Sequence, residues 1–84
     1  MTAGKHINVY IRSRIKNVFK GFAYSVTGLN EKGEFDILPL HQNFISMVSN
    51  YILLDKGRTS QKEIAIQSGV LKCEEDTVDV FLEV

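Results

Sequence analysis

The chain has 84 residues, enough for one small domain, and its 44% apolar and 24% charged residues are typical of a folded globular protein. The formal net charge is zero, which argues against a general nucleic-acid binder, since such modules are usually basic. The single cysteine excludes an internal disulfide. No apolar run approaches the roughly 20 residues that span a bilayer, so we expect no direct membrane insertion.

Apolar and polar residues alternate with a period of two along five segments, as is typical of half-buried β-strands. In chain order these are residues 6–12, residues 22–29, the stretch containing Phe35 and Ile37, residues 62–67 and residues 77–83. In residues 22–29 the alternation predicts that Phe22, Tyr24 and Val26 share one face. The positions that we expect to form the core are Ile7, Val9, Val26, Ile37, Ile64, Ile66, Val78 and Val80.

Turn-forming residues separate these strands. Polar turns are predicted at residues 29–33, 55–58 and 74–76, where Asn, Asp, Glu, Lys and Gly cluster. The strand containing Ile37 must stop or lie at an edge at Pro39, because proline has no N–H to donate to a β-ladder. Short strands at intervals of roughly 8–12 residues favour an all-β sandwich or barrel.

Residues 43–54 fit two secondary structures. Phe44, Val48, Tyr51 and Ile52 recur at helical spacing, and Asn43 is suited to cap the N-terminus of a helix of about three turns. The resemblance described below instead implies a loop, a short strand and the next strand, and we adopt that prediction.

Charge is distributed unevenly along the chain. Residues 1–20 carry five basic side chains and no acid, whereas residues 63–84 carry six acidic side chains and one lysine. If the first and last strands are neighbours, these charges can pair along one face. Exposed pairs contribute only about 0–1 kcal/mol each, so the pattern on its own indicates a solvated surface.

Residues 33–41 carry the clearest family signal. Gly33, Glu34, Ile37, Pro39 and His41 form a Gly-Glu-x-x-Ile-x-Pro-x-His pattern. This pattern resembles a stretch in the N-terminal β-sandwich domain of the epsilon subunit of rotary ATP synthases. Further similarity in the same order is found in residues 18–21 and 25–26, residues 64–71 and residues 77–82.

The resemblance implies a fold and a role for the whole chain. The expected fold is a two-sheet β-sandwich of about eight to ten short, mostly antiparallel strands, with residues 1–84 as a single domain. The implied function is that of a non-catalytic central-stalk subunit without a cofactor. Its implied partners are the gamma subunit and the c-ring, and it would couple proton or ion flow to ATP synthesis. It would be cytoplasmic and peripheral at the inner face of the energy-coupling membrane when assembled.

The resemblance also implies two contact regions. Glu34, Leu40 and His41 occupy the positions expected to touch the rotor ring. Phe44, Ile45, Met47 and Val48 form an apolar run expected either to bind the gamma subunit or to join the core. Asp36 stands where the family usually has a small residue, and residues 12–16 replace its usual Thr-Pro-Glu.

Other functions have weaker support from the sequence. Family members usually continue into a C-terminal helical hairpin, which this sequence does not include, so ATP binding by that hairpin is not carried over. No catalytic or metal-binding motif is present, and Cys73 on an alternating strand is typical of a small core residue. The alternatives are a free-standing β-sandwich adaptor for protein interactions and a small nucleic-acid-binding β-barrel.

Overall fold

The structure, a computed structural model, describes residues 5–40 and 43–83. Its seven strands are β1 (Ile7–Arg12), β2 (Asn17–Ala23), β3 (Val26–Asn30), β4 (Gly33–Ile37), β5 (Phe44–Leu54), β6 (Lys62–Glu74) and β7 (Thr77–Leu82). They form one hydrogen-bonded sheet in the order β2-β1-β7-β6-β5-β3-β4. The β1–β7 pair is parallel, and the other neighbouring pairs are antiparallel. The all-β prediction is therefore confirmed.

The described residues contain seven strands where about eight to ten were expected. The difference arises because two strands are unusually long. β5 has 11 residues and β6 has 13, whereas strands commonly have about five or six. Segments that the sequence divided into shorter pieces are thus continuous.

The two long strands belong to both layers of the sandwich. The C-terminal part of β5, residues 52–54, pairs with β3, while the C-terminal part of β6, residues 69–74, pairs with β7. One layer therefore contains β2, β1 and β7, and the other contains β3 and β4. Buried residues of β1 and β4 belong to the same core cluster, although these strands are far apart in the sheet order, so the sheet folds over on itself.

A β-bulge marks the place where the sheet folds. Ser49 is opposite Ser68 and Tyr51 is opposite Ala65, so β6 has one residue more than β5 across this interval. An extra residue reverses the alternation of side chains along the bulged strand. In β6 the inward positions accordingly change from even-numbered, as at Ile64 and Ile66, to odd-numbered, as at Leu71 and Cys73.

The core agrees closely with the period-two prediction. Six of the eight expected residues have at most 1% of their surface exposed, namely Ile7, Val9, Val26, Ile37, Val78 and Val80. Ile64 and Ile66 are partly buried and pack against this cluster. Cys73 is buried at 2% exposure, as expected for a small core residue. Ile11, Val48, Ile52 and Leu71 are further large aliphatic side chains that are buried in the core.

The predicted turns are present. Gly33 and Gly57 have φ values of 115° and 84°, a conformation that glycine adopts without steric cost. Glu75 and Asp76 form the two-residue connection between β6 and β7, with φ values of 50° and 61°. Two consecutive positive φ values are characteristic of the type I′ hairpin turn, whose twist matches that of the strands.

The prediction of one continuous strand over residues 22–29 is wrong, because two strands meet within this range. β2 ends at Ala23 and β3 begins at Val26, and Phe22 is 59% exposed while Val26 is fully buried. The chain bends between these strands because the Asp55 carboxylate accepts a hydrogen bond of 2.6 Å from the Tyr24 N–H. The Asp55 N–H in turn donates to the Ser25 carbonyl oxygen at 3.0 Å.

Residues 44–54 form one continuous strand, so the helical alternative is wrong, and so is the division into a loop and two strands. The spacing of apolar residues was compatible with both a helix and a strand. Ladder hydrogen bonds with β6 along one edge, and with β3 along part of the other, satisfy the backbone of β5 as a strand. Pairing with distant strands therefore determined the secondary structure of this segment, which the spacing of its apolar residues left ambiguous.

The opposite charges at the two ends of the chain do meet. β1 and β7 are parallel neighbours, and the Arg12 guanidinium lies 3.3 Å from the Asp79 carboxylate. Both side chains are exposed, so this pair contributes little to stability, as salt and solvent screen it.

Candidate protein interaction site

The predicted ring-contact residue Glu34 lies on β4, which is an edge strand of the sheet, and its side chain is exposed. The Tyr51 hydroxyl donates a hydrogen bond to one carboxylate oxygen of Glu34, and the Lys56 ammonium lies 3.4 Å from the other. The Tyr51 bond, and secondarily the charge of Lys56, holds the pKa of Glu34 below its usual value. Glu34 is therefore ionised and oriented at neutral pH.

Asp36 lies two residues further along the same face of β4 and extends this polar cluster. The fully buried Thr27 donates a hydrogen bond of 2.6 Å to the Asp36 carboxylate, and Lys56 lies 3.4 Å from the same oxygen. The bond from Thr27 is the main reason that the pKa of Asp36 is lowered. Lys56 bridges two carboxylates, and chiefly Asp36 raises the pKa of its ammonium group.

Beyond β4, residues 38–40 form an exposed apolar loop. Leu38 and Leu40 are 57% and 67% exposed, and Leu40 has a φ of 70°. The Leu40 N–H donates a hydrogen bond of 2.6 Å to the Asp76 carboxylate in the β6–β7 turn. The third predicted ring-contact residue, His41, lies outside the described residues.

The apolar run on β5 divides between two faces of the sheet. Phe44 packs edge-on against Phe35, with ring centroids 5.2 Å apart, and Val48 is 2% exposed in the core. Ile45 and Met47 lie on the opposite face and are 66% and 59% exposed. Successive side chains of a strand point to opposite faces, so only two of the four residues are available to a partner.

Strand register adds residues that the sequence analysis did not propose. Met47 is opposite Val70 on β6, and Val70 is opposite Phe81 on β7, which is 51% exposed. We call Ile45, Met47, Val70 and Phe81 the outer apolar face. Phe81 could have been found from the sequence, since it occupies the outward position between the core residues Val80 and Leu82.

One cation borders the outer apolar face. The Arg12 guanidinium carbon lies 5.7 Å from the centroid of the Phe81 ring. An arginine over an aromatic face is attracted to the ring while its N–H groups stay available to other acceptors. The face is thus an apolar row with a charged margin, an arrangement that is common where one protein binds another.

Cys73 is buried, and burial raises the pKa of its thiol, which disfavours the reactive thiolate. Within residues 5–40 and 43–83, no group of three or more His, Cys, Asp or Glu side chains is arranged to hold a metal ion. In the same part of the chain, no helix has the length and apolarity that crossing a membrane requires.

Comparisons with known proteins agree with this architecture. A chain of the mitochondrial ATP synthase of Euglena gracilis, solved as an OSCP/F1/c-ring structure, superposes with a TM-score of 0.82 at 12% identity, covering 93% of this chain and 51% of that one. A chain from the central stalk and c-ring structure of the Tetrahymena thermophila mitochondrial ATP synthase superposes with a TM-score of 0.72 at 12% identity, covering 93% of this chain and 63% of that one. At this identity the similarity establishes the fold.

The chain spans about half to two thirds of the length of these structural relatives. A comparison with curated protein sequences gave no match. The family described as "ATP synthase, Delta/Epsilon chain, beta-sandwich domain" matches residues 6–84, which is nearly the whole sequence. The chain therefore belongs to the family of the ATP synthase delta/epsilon β-sandwich domain.

Proposed function

We propose that this chain is an epsilon-like, non-catalytic subunit of the central stalk of a rotary ATP synthase. It would connect the gamma shaft to the membrane rotor ring, at the inner face of the energy-coupling membrane, and so help to couple ion flow to ATP synthesis. The observation that carries the proposal is the family match over residues 6–84. Two structures with the same fold support it, one from an OSCP/F1/c-ring assembly and one from a central-stalk and c-ring assembly.

A part that transmits torque must resist shear between its layers. Here β5 and β6 run through both layers, so backbone hydrogen bonds as well as side-chain packing join the two halves of the sandwich. Close-packed protein interiors are poorly compressible and transmit strain. This construction suits a rigid connector better than it suits a chain that must open to bind a ligand.

We assign the contact with the rotor ring to the end of β4 and the loop that follows it. Glu34 presents an ionised carboxylate, and Leu38 and Leu40 present exposed apolar side chains. A carboxylate has about four acceptor positions, so Glu34 can accept a hydrogen bond from a partner while it keeps those from Tyr51 and Lys56. His41, which follows Leu40 in the sequence, is included in this proposal by the resemblance alone.

We assign the contact with the gamma subunit to the outer apolar face. Exposed apolar patches mark interaction surfaces in soluble proteins, and aromatic residues, methionine and arginine are enriched at interfaces. Met47, Phe81 and Arg12 supply these residue types, and Ile45 extends the apolar row. Phe44 and Val48 contribute to the core instead and hold β5 in place.

The gamma contact is tested by co-purification with the gamma subunit of the same complex. Met47→Thr and Ile45→Thr remove apolar surface from the outer apolar face while keeping a residue that suits a strand. Ile15→Thr is the matched control, because Ile15 is 81% exposed but lies in the β1–β2 turn. We expect the double variant at positions 45 and 47 to weaken the complex at least tenfold, and the control to bind normally.

Two outcomes would count against the proposal. If the unaltered chain does not bind gamma at all, the free-standing adaptor becomes the better assignment. If the outer-face variant and the Ile15→Thr control bind equally well, the outer apolar face is not the gamma contact.

The ring contact is tested separately in membranes that contain the assembled complex. Changing Glu34 and His41 together to alanine should weaken coupling between ion flow and ATP synthesis while the unfolding temperature stays nearly unchanged, because Glu34 is exposed. A large loss of thermal stability with normal coupling in the assembled complex would show that these residues act only within the fold.

A further inference from the structure

Asp76 links three segments that are distant in sequence. Its carboxylate accepts the hydrogen bond of 2.6 Å from the Leu40 N–H, and its carbonyl oxygen accepts one of 2.8 Å from the Asn8 N–H. It is itself the second residue of the tight β6–β7 turn. The loop after β4, the β6–β7 turn and the start of β1 therefore meet at one side chain and its backbone.

The backbone of Leu40 needs such support. A φ of 70° places Leu40 in the left-handed region, which is unfavourable for a bulky residue and persists only where surrounding contacts impose it. The Leu40 side chain is 67% exposed, so its own packing holds the backbone weakly. Pro39 fixes its own φ and restricts the backbone of Leu38, the residue before it, but not the backbone of Leu40. The Asp76 carboxylate supplies a tertiary contact to the backbone of Leu40.

Asp76 is well suited to this task. Aspartate tolerates the left-handed conformation better than most residues, so Asp76 can occupy the turn, at a φ of 61°, while its carboxylate reaches the loop. A hydrogen bond to a charged acceptor is also stronger than one between neutral groups. The same residue thus satisfies the geometry of the turn and anchors a second loop.

We propose that Asp76 is a positioning residue that holds the loop of residues 38–40 in the conformation that presents Leu38 and Leu40 to a partner. That the partner is the rotor ring rests on the proposed function; the ordering of the loop does not. Without the carboxylate, Leu40 returns to more favourable backbone conformations and the two exposed leucines lose their fixed arrangement.

The ordering is tested on the full chain by 15N relaxation of the Leu38 and Leu40 amides. Asp76→Gly removes the carboxylate and keeps the positive φ, since glycine adopts it readily. Glu75→Gly is the matched control, because Glu75 has a φ of 50° in the same turn and is exposed. Asp76→Asn keeps both an acceptor oxygen and tolerance of the left-handed region.

We expect the order parameters of both amides to fall from about 0.85 to below about 0.6 in Asp76→Gly, and to stay near 0.85 in Glu75→Gly. Asp76→Asn should lie close to the unaltered protein. Equal order parameters in Asp76→Gly and Glu75→Gly would overturn the proposal.

A second variant covers the case in which Asp76→Gly fails to fold. Replacing the backbone amide of Leu40 with an ester, by chemical synthesis of the 84-residue chain, removes the same hydrogen bond from the donor side. The proposal then predicts the same fall at the Leu38 amide, and an unchanged Leu38 amide would overturn it.

The partner is tested apart from the ordering. In assembled complexes, Asp76→Gly should weaken coupling and Glu75→Gly should not. If the loop loses order but coupling is normal, positioning by Asp76 is supported and the assignment of this loop to the rotor ring fails.

Discussion

Gly69 is the position where a single added methyl group should be most damaging. It lies on β6 opposite Leu82 of β7 and Val48 of β5, at the centre of the sheet. A Cβ atom built on Gly69 would lie 2.7 Å from the Phe81 carbonyl oxygen and 3.3 Å from the Leu82 Cα. Both atoms belong to the backbone, so the alanine methyl of Gly69→Ala can be accommodated only if β6 and β7 move apart.

The size of the effect follows from two opposing contributions. Overpacking that forces backbone shifts typically costs about 1–3 kcal/mol. Replacing glycine within a strand recovers about 0.5–1 kcal/mol, because alanine loses less conformational freedom on folding. The difference between these ranges is about 0–2.5 kcal/mol. The contact of 2.7 Å is with a backbone atom, so we expect Gly69→Ala to lie in the upper part of this range, at about 1–2 kcal/mol, which corresponds to a fall in unfolding temperature of roughly 5–15 °C for a domain of this size.

Gly21→Ala provides the control. A Cβ atom there would lie 3.2 Å from Cζ of Phe19, which is the far end of a side chain that can move aside. We expect its stability to stay within about 0.5 kcal/mol of the unaltered protein. The stability of both variants is measured by denaturant unfolding followed by circular dichroism. If the unfolding free energy depends on denaturant concentration with the same slope in both, their midpoints can be compared directly. If Gly69→Ala and Gly21→Ala unfold at the same midpoint, the argument from backbone contact is wrong.

Three further predictions concern single groups. Thr27→Val removes the hydrogen bond of 2.6 Å from the Thr27 hydroxyl to the Asp36 carboxylate. It should lower the free energy of unfolding by about 1 kcal/mol and raise the pKa of Asp36. An unchanged Asp36 pKa in an NMR titration would contradict this prediction. The pKa of Asp36 is lowered by folding, so its contribution to stability is complete above the ordinary carboxyl range near pH 4 and is lost as the pH falls through the lowered value. The denaturant midpoint of unfolding should therefore stay constant between about pH 7 and 5 and fall below about pH 4. A fall in the midpoint that begins above pH 5 would show that other titrating groups control the pH dependence of stability. The buried Cys73 thiol should react with a thiol reagent far more slowly in the folded protein than in denaturant, and equal rates would show that its strand opens readily.

The sequence alone determined the class of fold and much of the core. Period-two alternation requires one face of each strand to be apolar, and this constraint is local, so Ile7, Val9, Val78 and Val80 could be assigned without knowing their neighbours. Turn positions were also accessible, because Gly, Asn and Asp relieve the steric cost of positive φ wherever they occur. The pattern of residues 33–41 indicated the family, which the match over residues 6–84 confirms.

The tertiary structure decided what depends on contacts between distant segments. The bend after Phe22 is fixed by Asp55, more than 30 residues away in sequence, so no local pattern could reveal it. The alternation of β5 is compatible with a strand or a helix until β3 and β6 satisfy its backbone.

The candidate interaction surfaces also depend partly on the sequence and partly on the tertiary structure. The sequence predicted Glu34, Ile45 and Met47 as contact residues, each from the pattern of its own segment. Only the register of β5, β6 and β7 placed Met47 and Phe81 on one face with Val70 between them, because neighbours in a sheet are chosen by hydrogen-bond pairing between strands and not by spacing along the chain. In the same way, only the folded chain brings Asp76 to the Leu40 N–H across an interval of 36 residues.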